Sequence, residues 1–234
     1  MTKGRFETIV ADAGGTQASA VGARAYAVGE AEPGAPGVVL FHAWWGLNDD
    51  VVDYADRLAD AGFAVIAPDL YGGPLATTIE EAERLSGALD EATADAIALA
   101  AIDRLADHLG PAARIATVGF SLGAAWSVWS AAMRDRVLGS VVYYGSVGGP
   151  SLARATTPVL GHFAETDPYE PDDAVAAFEG ALREAGREVV VHRYPGTGHW
   201  FAEPSRDAYR PAAADLAAAR TIEFLGRVLG DPAG

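Results

Sequence analysis

The chain has 234 residues, of which 50% are hydrophobic and 21% charged, a balance that excludes a disordered protein and is long enough to bury a sizeable core. A formal net charge of −15, with Lys3 as the only lysine, argues against nucleic acid or an anionic membrane as partner, since both require a cationic surface. With no cysteine, disulfides, a thiolate nucleophile and cysteine-based metal sites are all excluded. Residues 1–7 carry no apolar run of signal type and no window reaches membrane-spanning length, so a cytoplasmic protein without membrane association is expected.

In chain order, residues 6–10 and 21–28 read as early strands separated by the turn-rich Asp12-Ala13-Gly14-Gly15. A Pro/Gly loop over residues 30–37 leads into Val38-Val39-Leu40-Phe41, a short continuous apolar run of the kind found in strands buried on both faces. Asn48-Asp49-Asp50 offers N-cap residues for a helix through about Ala61, stopped by Gly62. Ala64-Val65-Ile66-Ala67 is the next buried strand, ended by Pro68, and residues 71–74 form a loop. Residues 78–109 read as a long helical stretch with a candidate break near Gly87, terminated by Gly110-Pro111.

Residues 114–118 form a further strand, followed by a helix over 122–133. Strands at 137–144, 158–163 and 188–194 and helices at 172–185 and 211–229 complete the alternation. Strands alternating with helices predict an α/β fold with a mostly parallel central sheet covered on both faces, as one domain over residues 1–234. In such sheets ligands sit beyond the carboxyl ends of the strands, which is where every candidate chemical residue of this chain falls.

The strand at 114–118 runs into Gly119-Phe120-Ser121-Leu122-Gly123 and then a small-residue helix start. That is the G-x-S-x-G nucleophile elbow in its strand–turn–helix setting, with Ser121 on a turn too sharp for side chains at positions 119 and 123. A serine hydroxyl is a weak nucleophile at neutral pH and needs a base within reach. Of the 5 histidines, His108 lies near a helix C-terminus, where a cation is an ordinary structural choice, and His192 lies inside a strand of alternating character. His162 ends a strand and reads as a structural or rim residue, and His42 follows an earlier strand. His199, in the glycine-rich loop Pro195-Gly196-Thr197-Gly198-His199 after the last strand, is the candidate base.

The carboxylate that orients the imidazole is expected between serine and histidine in the chain, and Asp167 in Glu165-Thr166-Asp167-Pro168 supplies it. Glu165 sits less favourably, and Asp172 and Asp173 read as the N-cap and first turn of the following helix. The oxyanion needs donors, for which the backbone N–H groups of Leu122 and Trp44 are the candidates. Trp45, Tyr71, Trp200 and Phe201 are candidates for a partly aromatic pocket, whereas Trp126 and Trp129 read as core. No histidine–carboxylate spacing suits a metal, and no glycine-rich loop fits a nucleotide, so neither metal nor cofactor is expected.

These residues, with Trp44-Trp45-Gly46-Leu47-Asn48, Ala61-Gly62-Phe63, residues 67–73, Glu165 to Pro171 and Tyr194 to Phe201 in one order, resemble the dienelactone hydrolase family of α/β-hydrolases over nearly the whole chain. The resemblance implies an α/β-hydrolase fold without a large cap, and a Ser121–His199–Asp167 triad with the oxyanion donors named above. The best-known members carry cysteine at the elbow, a glutamate before the oxyanion residue and an arginine just after the histidine motif. Here those positions hold Ser121, Ala43 and Glu203. A serine needs no thiolate gate, so the first two changes are consistent with one another. Glu203 in the substrate pocket would repel a carboxylated substrate, with Arg84 and Arg206 as the cations that could replace the missing arginine. The expected activity is cofactor-free serine hydrolysis of a small carboxylic ester or lactone; a monomer is favoured, though the sequence does not fix the oligomeric state. A silent binding protein on the same fold, or an acyltransferase using the same triad, are the alternatives.

Overall fold

In a computed structural model, residues 3–12, 20–30, 32–148, 152 and 157–230 are described. Their strands are β1 (Arg5–Asp12), β2 (Ala20–Val28), β3 (Pro36–Phe41), β4 (Ala64–Pro68), β5 (Arg114–Phe120), β6 (Val137–Tyr143), β7 (Val159–Ala164) and β8 (Val189–Tyr194). The helices are α1 (Asp49–Asp60), α2 (Ile79–Gly87), α3 (Glu91–Leu109), α4 (Gly123–Met133), α5 (Asp172–Glu184) and α6 (Pro211–Leu229). The sheet order is β1-β2-β4-β3-β5-β6-β7-β8. β1 and β2 pair antiparallel, and β2 meets β4 antiparallel, whereas β3–β4, β6–β7 and β7–β8 are parallel. The expected turn at 12–15 lies, from residue 13 onward, outside the described residues.

The chain divides into two compact units, one up to Ile115 and one over Ala116–Asp231. In the first, every residue of β3 and β4 is buried, as their unbroken apolar runs predict, while β1 alternates towards solvent as an outer strand does. Asn48 caps α1 by accepting the Val51 N–H at 3.2 Å, and Gly62, at φ 93°, provides the left-handed exit that stops it. The stretch at 78–109 is two helices, with α2 ending at Gly87, the candidate break. Thr78 and Glu81 form a reciprocal capping box at α2, and Asp90 accepts the Thr93 N–H at 2.8 Å to start α3 anew. The buried stripe of α3, Ala94, Ile97, Ala98, Ala101, Ile102 and Leu105, follows helical spacing.

His42, fully buried in this unit, links two loops. Its Nδ1–H donates to the Ala43 carbonyl at 2.7 Å, leaving Nε2 to accept the Leu70 N–H at 3.0 Å. Asp69 in turn accepts the N–H groups of Tyr71 and Gly72 at 2.9 and 3.1 Å. His42 is thus a fixed structural ligand of backbone, and burial drives its pKa down.

In the second unit, α4 is locked to the strands by buried hydroxyls. Thr117 and Ser140 both donate to the Ser127 carbonyl, at 2.8 and 3.0 Å, and Ser127 Oγ–H reaches the Val141 carbonyl at 3.0 Å. Trp126 on this helix is buried and Trp129 half-buried. α6 starts with Pro211 in its first turn and packs Ala214, Ala217, Ala218, Thr221, Phe224 and Leu225 inward. α5 is preceded by Pro171 as its N-cap, so Asp172 and Asp173 both fall in the first turn, where carboxylates complement the helix dipole.

Beneath the strand ends lies a second buried network. Fully buried His162 meets Tyr194 Oη at 2.7 Å through Nδ1 and Thr221 Oγ1 at 3.0 Å through Nε2, and Tyr143 Oη lies 2.8 Å from the same Thr221 oxygen. Burial, with smaller contributions from His192 and Arg220, holds the His162 pKa well below 6.5. The native state therefore refuses a proton that the unfolded chain accepts, so stability falls as pH drops below about 6.5 by up to about 1.4 kcal/mol per pH unit for one such group. His162→Gln, which cannot titrate there, is expected to have a shallower decline of thermal midpoint between about pH 6.5 and 5 than the parent chain, as read by unfolding scans. Parallel declines would contradict the assignment.

Candidate active site

The second unit brings Ser121, Asp167 and His199 together. β5 delivers the chain to Ser121 at φ 48°, a left-handed conformation that an L-residue occupies at a cost of about 1–3 kcal/mol. The strain is held in place by neighbours. The Ser121 N–H donates to the Tyr143 carbonyl at 2.8 Å, and its carbonyl accepts the Ala124 N–H at 2.9 Å. A Cβ at Gly119 would overlap the Gly123 carbonyl and approach the Ala124 nitrogen to 2.7 Å, so glycine is a steric requirement at that position.

Ser121 Oγ lies 3.0 Å from His199 Nε2, and His199 Nδ1 lies 2.7 Å from Asp167 Oδ2. A carboxylate can only accept, so Nδ1 carries the imidazole proton and Nε2 is left to accept from the serine hydroxyl. Asp167 Oδ1 is also occupied, by the N–H groups of Tyr169 at 2.9 Å and Glu170 at 3.1 Å. Both carboxylate oxygens are therefore fixed, which orients the imidazole.

The histidine loop is tied down at several points. Thr197 Oγ1–H donates to the Tyr194 carbonyl at 2.6 Å, and the Thr166 N–H to the Thr197 carbonyl at 3.2 Å. Glu165 accepts the Gly196 N–H at 2.9 Å, so this carboxylate fastens the loop instead of facing His199. Trp200 adopts φ 64°, which turns the chain sharply after the histidine. Aromatic rings surround the imidazole: those of Tyr169, Trp200 and Tyr144 lie 4.9, 4.9 and 5.0 Å from it.

Several candidate pocket residues have other positions. Phe201 is 0% exposed, with its ring 5.5 Å from that of Tyr144 and 4.9 Å from that of Tyr194, so it is core beneath the site rather than pocket wall. Burying its ring among aromatics removes more apolar surface from water than a pocket edge would. Glu203 is 4% exposed and accepts the Tyr144 hydroxyl at 2.9 Å, so it is turned inward. Trp200 is half-buried beside His199. Leu122 stands at the N-terminus of α4 with helical backbone angles. In the first unit, Trp44 is half-buried and Trp45 buried in the segment after β3, and Tyr71 is half-buried in the loop after β4. Arg84 is exposed in the last turn of α2, and Arg206 donates to Ser205 Oγ at 2.9 Å.

Tyr144, Ser146, Tyr169 and Glu170 escaped the sequence reading. Tyr144 is fully buried at φ 37°, its N–H donating to the His162 carbonyl at 2.7 Å. Glu170 accepts the Ser146 N–H at 2.8 Å; burial pushes its carboxyl upward, against the opposite pull of that bond and of His199. Position within three residues of Asp167 was the only available signal for Tyr169 and Glu170. Among the described residues, no group of three or more histidine, aspartate or glutamate side chains is arranged to hold a metal ion, and no helix is long and apolar enough to cross a membrane.

Comparison with known proteins places the chain in a family. The chain is 30% identical over 208 residues to protein usf of Aquifex pyrophilus, covering 84% of this chain and 90% of that one. It is 29% identical over 206 residues to a Bradyrhizobium protein named probable 2-oxo-3-(5-oxofuran-2-ylidene)propanoate lactonase, covering 81% and 83% respectively. Its fold matches that of a dienelactone hydrolase-like promiscuous phosphotriesterase from metagenomic libraries with a TM-score of 0.80 at 22% identity, over 97% of this chain and 99% of the other. Residues 23–229 match the model of the dienelactone hydrolase family; the chain belongs to that family, has the α/β-hydrolase fold and is a carboxylic ester hydrolase.

Proposed function

We propose that the protein hydrolyses small carboxylic esters or lactones through an acyl-serine intermediate on Ser121. The observation that carries this reading is the continuous chain from Ser121 Oγ to His199 Nε2 at 3.0 Å and from His199 Nδ1 to Asp167 Oδ2 at 2.7 Å. As Ser121 Oγ attacks the carbonyl carbon, its proton passes to His199 Nε2, and Asp167 stabilises the imidazolium that forms. The carbonyl oxygen becomes an oxyanion, with the Leu122 N–H at the start of α4 as a donor. His199 then returns the proton to the departing alkoxide. Water, deprotonated by His199, attacks the acyl-serine and releases the acid, regenerating the hydroxyl.

Around His199, the exposed Tyr169 and half-buried Trp200 supply aromatic surface for the substrate. Glu203 is turned inward onto Tyr144, so this position offers no cation to hold a substrate carboxylate, which favours substrates without one. Small-molecule esters and lactones are the partners of this site, and none of the steps calls for a cofactor.

Ser121→Ala is expected to lose about 10³-fold or more of turnover on a short p-nitrophenyl ester while its thermal midpoint stays nearly unchanged. A fluorophosphonate probe is expected to label Ser121 in the folded parent and to react far more slowly with His199→Ala; equal labelling would overturn the base assignment. In a panel of esters and lactones with and without a carboxylate, uncharged members are expected to show the higher kcat/KM. A preference for the carboxylated members would contradict the reading of Glu203.

A further inference from the structure

Asp167 does more than face His199. While Oδ2 meets His199 Nδ1 at 2.7 Å, Oδ1 gathers the N–H groups of Tyr169 and Glu170 at 2.9 and 3.1 Å. This is an Asx-type turn, and it folds the chain back on itself just after the acid. The turn aims Glu170 at the segment that follows β6, where Oε2 accepts the Ser146 N–H at 2.8 Å.

Ser146 follows directly on Gly145, which is pressed against the elbow. A Cβ at Gly145 would come within 2.5 Å of the Ala124 Cβ and 2.7 Å of the Ser121 carbonyl oxygen. Tyr143, two residues before Gly145, accepts the Ser121 N–H at 2.8 Å. The segment from Tyr143 to Ser146 is therefore the backing of the strained serine, and Glu170 is the side chain that fastens its far end to the acid loop. A charge-assisted bond to a backbone N–H is among the stronger anchors a half-buried carboxylate makes.

We propose that Glu170 is a positioning residue, coupling the Asp167 turn to the Tyr143–Ser146 segment so that nucleophile and base keep their spacing. The inference rests on the triad reading above. It concerns geometry alone, because Glu170 bonds to backbone and not to the reacting groups. The charged groups around Glu170 are His199, which favours its ionised form, and Asp167, which opposes it; burial also opposes it. Its role as an acceptor belongs to the oxygen, which an amide also offers.

The test compares Glu170→Ala with Glu170→Gln in the full-length chain on a short p-nitrophenyl ester, with fluorophosphonate labelling of Ser121 as a second readout. Glu170→Ala is expected to lower kcat about tenfold with KM within about twofold, and to slow labelling by a similar factor. Glu170→Gln is expected to restore both to within about threefold of the parent, because its side-chain oxygen accepts the Ser146 N–H. Parent-like rates in Glu170→Ala, an effect confined to KM, or a Gln variant as impaired as the Ala variant would each overturn the proposal while leaving the triad reading intact. A parent chain that the probe does not label at Ser121 would overturn the triad reading, and the proposal with it. Thermal midpoints of both variants above the assay temperature tie the rates to folded protein.

Discussion

The site depends on a steric constraint: β5 must reverse into α4 within a space that admits no side chain at Gly119 and forces Ser121 to φ 48°. A conformation of that kind persists only where the surroundings over-determine it. They do so through backbone bonds on either side of the serine and through the buried hydroxyls of Thr117, Ser127 and Ser140, which hold α4 against β5 and β6. These internal bonds each contribute about 1 kcal/mol net, but leaving any of the groups unpaired would cost more. The strain is thereby maintained by many modest interactions, and the hydroxyl stands 3.0 Å from His199 Nε2.

The His199 imidazole is fixed from more than one direction. Asp167 fixes its tautomer, Tyr144, Tyr169 and Trp200 surround its ring, and Glu165, Thr166 and Thr197 secure the loop that carries it. Beneath this layer, Tyr194 and Phe201 pack together, and Tyr194 continues into the His162–Thr221–Tyr143 network. Since the Tyr143 carbonyl also accepts the Ser121 N–H, the buried polar network and Ser121 share a strand end. A neutral His162 suits that position, because a buried cation would cost far more than the hydrogen bonds return.

Glu203 illustrates how one substitution alters meaning with context. Read along the chain, it is an anion at a position where the family resemblance implies a cation. In the fold it is a buried carboxylate answered by Tyr144, itself held at φ 37° by the end of β6. The acidic residue is thus accommodated by a specific donor rather than left to face solvent.

Much of the fold was legible in the sequence, for local reasons. Unbroken apolar runs at β3 and β4, the Asn48 cap, the glycines at 62 and 110 and the proline at the start of α6 are encoded within a few residues of where they act. The elbow was legible because glycine at position 119 is demanded by sterics, and the order serine, aspartate, histidine was legible because each follows a strand. What sequence left undecided was which way side chains turn once distant segments meet. Glu165 and Asp167, two residues apart, took different partners. Phe201 and Glu203 went inward, and Glu170 reached Ser146, 24 residues away along the chain. Those outcomes depend on the burial available at each position and on donors supplied from elsewhere, quantities that exist only after the chain has folded.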